Sequence, residues 1–125
     1  MVAGGVPNPR ADHAEAVVAL GLDMLAVVAG FAAERGLTID VRLGVHTGTV
    51  VAGVIGRRKF AYDLWGDTVN VAARLESSGV AGRLQLSDAT HARVAHRFAG
   101  QWRGDTALKG KGSLSTWLLP AAPTP

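Results

Sequence analysis

A chain of 125 residues with 48% apolar and 18% charged residues buries one core and is too short for two domains. It has no cysteine, which excludes a disulfide framework, a thiol nucleophile and a cysteine metal site. The net charge of +3 mildly favours anionic ligands, but the cations are dispersed apart from Arg57-Arg58-Lys59 and no aromatic platform interleaves with them, so nucleic acid is not an expected partner.

Met1 to Val6 is a short apolar run that ends at Pro7-Asn8-Pro9, an extended or turn segment. Asp12 is a plausible N-cap for a helix reaching Arg35, because Ala14, Val17, Val18, Leu22, Leu25, Val28, Ala29 and Ala32 recur every three or four residues. Gly36 is its natural stop. The apolar zone from Ala14 to Ala33 contains Glu15 and Asp23, so it reads as a buried amphipathic helix rather than a membrane span. No basic stretch precedes an apolar run in the manner of a signal peptide, and a cytoplasmic location is expected.

Ile39, Val41, Leu43 and Val45 alternate with Asp40, Arg42 and Gly44 as in a half-buried strand, and Gly48 marks a turn into a second strand from Thr49 to Ile55. A helix is predicted near Asp67 to Ser77, with Asp67 as N-cap and Gly79 just past its end. Arg83 to Leu86 follows as a short strand, then a helix from about Asp88 to Phe98 capped by Ser87. Gln101 to Leu108 and Ser115 to Leu119 form a final hairpin, and residues 121–125 are a frayed tail. This order describes an α+β layer with helices packed on a mostly antiparallel sheet.

The chemistry concentrates in Tyr62-Asp63-Leu64-Trp65-Gly66-Asp67-Thr68-Val69-Asn70-Val71-Ala72-Ala73-Arg74. Asn70 and Arg74 stand at i and i+4 and project from one helical face. An amide can orient a sugar oxygen, and a permanently charged guanidinium fork suits phosphoryl oxygens. A carboxylate at Asp63, before the Gly66 turn, accepts from an exocyclic amine and repels a carbonyl, favouring adenine over guanine. The plainer alternative is that Asp63 caps a turn while Asn70 and Arg74 sit on a solvated face. Lys109-Gly110-Lys111-Gly112 could cradle a polyphosphate or be a basic turn. The glycines of residues 48–53 mimic a phosphate-binding loop, but Val54-Ile55 stand where Lys and Ser/Thr are required. His13, His46, His91 and His96 lack metal-ligand spacing, and no residue is assigned to a metal.

Taken with Val41-Arg42-Leu43-Gly44-Val45-His46-Thr47-Gly48, Val51-Ala52-Gly53-Val54-Ile55-Gly56 and Leu108-Lys109-Gly110-Lys111-Gly112, this block strongly resembles the class III nucleotide cyclase catalytic domain, in order from Gly4 to Leu119. The resemblance implies a ferredoxin-like α+β cyclase fold over residues 1–120, truncated at its N-terminus, that forms a head-to-tail homodimer or a heterodimer with another cyclase domain. It implies an adenylyl cyclase, converting ATP to cyclic AMP and pyrophosphate. By that resemblance Asn70 positions the ribose, Arg74 stabilises the transition state, Asp63 reads adenine, Lys109 contacts the terminal phosphates, and Arg42 holds the triphosphate from the opposite subunit. The family uses Mg²⁺ or Mn²⁺ held by two aspartates, which lie upstream of the segment matching Met1 to Gly5. Asp12, Asp23 and Asp40 are not their equivalents. The chain is therefore expected to be inactive alone, or to lend Asp63, Asn70 and Arg74 to a partner that holds the metal.

Overall fold

The computed structural model describes residues 1–55, 61–108 and 112–120, and at positions 54, 55, 61–65 and 108 the backbone alone. Helix α1 spans His13–Arg35 and stops where Gly36 adopts a left-handed φ of 64°, so that the N–H groups past the last turn reach Ala32 and Ala33 carbonyls. Asp12 occupies the N-cap position but its side chain makes no cap bond. Arg10 takes both carboxylate oxygens instead, at 2.5 and 2.9 Å.

The remaining elements are β1 (Leu43–Val45), β2 (Val51–Ile55), β3 (Ala61–Trp65), α2 (Asp67–Ser77), β4 (Leu84–Ser87), α3 (Asp88–Val94), β5 (Gln101–Leu108) and β6 (Gly112–Leu119). Four strands form one sheet in the order β1-β4-β6-β5, and β2 pairs with β3 in a separate antiparallel ribbon. The sheet is mixed, since β1 runs parallel to β4 while β4, β6 and β5 are antiparallel neighbours.

Two expectations change here. The alternating segment from Ile39 is strand only at Leu43–Val45, because β4 offers partners only to those residues (Leu43 with Leu84, Gly44 with Gln85, Val45 with Leu86). Upstream of them Val41 bonds the turn at Gly82 through its carbonyl, at 2.7 Å. The turn at Gly48 does not join β1 to β2 as a hairpin; the two strands enter different sheets.

Alternation along β4 separates two cores. Leu84 and Leu86 join Ala14 and Val18 of α1, Val94 of α3 and Leu119 of β6, whereas Val71 and Leu75 of α2 form a second cluster against Leu114. Gly44 belongs to the α2 side. A Cβ there would stand 2.2 Å from the Glu76 nitrogen and 2.6 Å from the Ala72 carbonyl oxygen, so only a bare α-carbon lets the α2 backbone lie against β1.

Helix α1 is more exposed than the buried amphipathic helix expected. Ala14, Val18 and Gly21 are buried and Leu22 and Leu25 pack on the core, but Leu20, Met24, Val27 and Phe31 form an exposed stripe. By length and composition alone α1 could cross a membrane; here it packs against β1 and α3.

Candidate active site

Helix α2 presents the expected pair. It buries Val71 and Leu75, which turns Asn70 and Arg74 to its exposed side. Among the described residues none pairs with the Asn70 amide or the Arg74 guanidinium. Gly66, at φ 126°, is the N-cap and Asp67 the first helical residue, which corrects the expected cap by one position. The left-handed φ and the sharp turn from β3 call for glycine there rather than a side-chain cap. Thr68 then ties the first turn to the loop after β1 by donating to the Thr49 carbonyl at 2.6 Å.

Asp63 lies on β3 opposite Gly53 of β2, three residues before the turn into α2. Lys109 lies outside the described residues, immediately after β5. Arg42 sits at the far end of α2, where its guanidinium donates to the Ser77 carbonyl at 3.2 Å and faces Glu76 at 3.6 Å. The cation at a helix C-terminus meets the negative end of the peptide dipoles. A groove of about 310 Å³ opens between residues 1–6 and the face of α2 carrying Thr68, Val69 and Ala72. Neither Asn70 nor Arg74 lines it, and both are exposed.

Sequence reading missed a polar cluster beneath the end of β1. His46 Nδ1 lies 2.7 Å from Ser87 Oγ, Thr47 Oγ1 lies 2.8 Å from Thr90 Oγ1, and the two hydroxyls of Ser87 and Thr90 are 3.3 Å apart. Ser87 also caps α3 by accepting from the Thr90 N–H, as expected from its position. Burial pushes the His46 pKa down, with the charge of Asp67 opposing. The signal available in sequence was His46-Thr47 following an alternating strand, but nothing local identified hydroxyls some 40 residues away as partners.

An amide and a guanidinium thus share the exposed side of a short helix that follows a strand–glycine turn. A family model described as the adenylate and guanylate cyclase catalytic domain matches residues 1–121. An adenylate cyclase of Mycobacterium tuberculosis is 46% identical over 119 residues, covering 95% of this chain and 27% of the relative. The guanylate cyclase domain from Catenaria anguillulae, solved in complex with GTP, superposes with a TM-score of 0.87 at 35% identity, covering 96% of this chain and 66% of that one. A dimeric guanylyl cyclase domain from Blastocladiella emersonii superposes with a TM-score of 0.82 at 30% identity, covering 94% and 64%. The chain belongs to the adenylate and guanylate cyclase catalytic domain family. It spans about a quarter of the length of the curated relative from Mycobacterium.

Cyclase domains are generally metal-dependent; no group of three or more His, Asp or Glu among the described residues could hold an ion. Asp12 is engaged by Arg10, whose hydrogen bond holds the carboxyl below its ordinary range, and Asp23 and Asp40 lie apart, in the middle of α1 and in the loop after it.

Proposed function

We propose that this chain is the C-terminal part of an adenylyl cyclase domain, turning ATP into cyclic AMP and pyrophosphate when joined by the metal-holding half of a site. The ribose 3′ oxygen attacks the α-phosphorus, its proton is lost, and the bond to the pyrophosphate oxygen breaks. Asn70 orients the ribose, and Arg74 meets the charge that grows on the phosphoryl oxygens. Asp63 accepts from the adenine amine, Lys109 contacts the terminal phosphates, and Arg42 serves the triphosphate bound at the opposite subunit. The observation that carries this reading is the pairing of Asn70 and Arg74 on the exposed side of α2, which follows directly from the strand bearing Asp63. Their exposure suits a site closed by a second protomer, in a homodimer or in a heterodimer with another cyclase domain.

The same residues support a second arrangement, in which this chain is a complementing subunit without turnover of its own. One experiment addresses both. The chain is mixed with a cyclase domain that keeps its metal-binding aspartates but has its own Asn/Arg pair replaced, and cyclic nucleotide is measured with ATP and with GTP. Cyclic AMP is expected from the mixture and not from either component alone, with about a hundredfold loss for Arg74→Ala. Product from the pure chain with Mg²⁺ or Mn²⁺ would overturn inactivity alone, and a preference for GTP would overturn the adenine reading of Asp63.

A further inference from the structure

Gln85 is fully buried at the centre of β4, on the sheet face that meets α2, where neighbouring Leu84 and Leu86 point to the other core. A carboxamide with no access to water persists only if its donors and acceptor are matched. Its Nε2 donates to the Leu75 carbonyl at 2.9 Å and to Ser78 Oγ at 3.0 Å, and its Oε1 accepts from Arg103 Nη1. Arg103 Nη1 also donates to the Ser78 carbonyl at 2.6 Å.

The direction of every bond is dictated by the guanidinium. Arginine has donors only, so the Gln85 atom facing it is the oxygen and the atom facing Ser78 is the NH₂. Ser78 Oγ therefore accepts from Gln85 and has its single hydrogen left for the Arg74 carbonyl, 2.7 Å away. The Arg74 carbonyl further accepts from the Ser78 N–H at 2.9 Å and from Ser77 Oγ at 3.2 Å. A one-way chain thus runs from β5 through the buried amide of β4 and a hydroxyl to the backbone of Arg74.

We propose that Ser78, oriented by Gln85 and Arg103, is a positioning residue for Arg74. The proposal rests on the reading of Arg74 as the charge-stabilising group. Capping alone does not require this arrangement, because the Ser78 N–H and the Ser77 hydroxyl already serve the same carbonyl. What the chain adds is a lateral anchor: the last turn of α2 is held to β4 and β5 rather than only to itself. Through Arg103 the same network ties strand β5 to the last turn of the helix that carries Arg74. A displacement of the reacting group by an ångström costs orders of magnitude in rate, which makes such an anchor consequential.

The test uses the complemented pair described above. Ser78→Ala is expected to lower kcat about tenfold with KM for ATP within about twofold, while the melting temperature stays within about 3 °C. Ser78→Thr, which keeps the hydroxyl, restores most of kcat, and Gln85→Met reproduces the Ser78→Ala loss. In an Arg74→Ala background Ser78→Ala adds nothing further, because the group it orients is gone. A loss that adds fully on Arg74→Ala, or an unchanged kcat per folded molecule, overturns the proposal. If Arg74→Ala itself leaves turnover unchanged, the functional reading fails instead. Should the pair show no turnover, nitrogen-15 relaxation of the chain alone decides. Ser78→Ala must then loosen the Arg74 Nε–H group relative to Arg93 on α3, and equal order parameters overturn the proposal.

Discussion

Strands β4 and β2 have nearly the same length, four residues and five, and opposite surroundings. All four residues of β4 are buried, because β1 and β6 flank it, α1 and α3 cover one face and α2 covers the other. Among the described residues strand β2 pairs only with β3, and Val51 at its start is 51% exposed. The lesson is a division of labour. The sheet fixes where α2 lies, and the outer side of α2, with Val51 at the start of the ribbon, is exposed among the described residues.

Truncating both strands gives the sharpest test of that division. Leu86→Ala should cost about 2–5 kcal/mol in a urea titration, the range for deleting a buried leucine, while Val51→Ala stays within about 0.5 kcal/mol. Equal losses would mean that the ribbon is as deeply packed as the sheet. A smaller effect is expected where the two regions meet. Gly44→Ala drives a methyl into the α2 backbone and should destabilise by about 1–3 kcal/mol. It should also lower complemented turnover beyond what the lost folded fraction explains, since α2 carries Asn70 and Arg74. If turnover per folded molecule is unchanged, the contact is only structural.

A milder effect comes from pH. His46 has its pKa lowered in the folded chain from an ordinary 6.5, so the unfolded chain takes up the proton first as pH falls. Stability is therefore fully present above about pH 6.5 and declines below it. His46→Gln should flatten the dependence of melting temperature on pH across that window, and an unaltered slope would place its origin elsewhere. The smallest effect is expected at Arg10→Ala. Its pair with Asp12 is open to water on both sides, so removing it should leave the melting point almost unmoved.

Much of the α2 region was legible before the structure. The boundaries Asp67 and Ser77 and the shared face of Asn70 and Arg74 follow from helical periodicity, a property of neighbouring residues alone. The same holds for Gly36 ending α1 and for Ser87 capping α3. Other local signals were overridden. Asp12 and Asp67 have the chemistry of N-caps, but Arg10 captures the first carboxylate and the turn geometry hands the second cap to Gly66. Ile39 and Val41 alternate like strand residues yet find no strand to pair with among the described residues.

By itself the sequence determined that three helices form, where α1 stops, and which side chains of α2 share a face, because each depends on contacts within a few residues. The end of α3 it did not, since that helix stops at Val94 and not near Phe98. Only the tertiary structure decided that β1 would run parallel to β4 and leave β2 to β3, since strand pairing is a competition among distant segments for the same backbone groups. It also decided that Gln85 would be buried. Nothing near that residue in the chain announces a guanidinium 18 positions later whose donors orient the amide and, through Ser78, reach the backbone of Arg74.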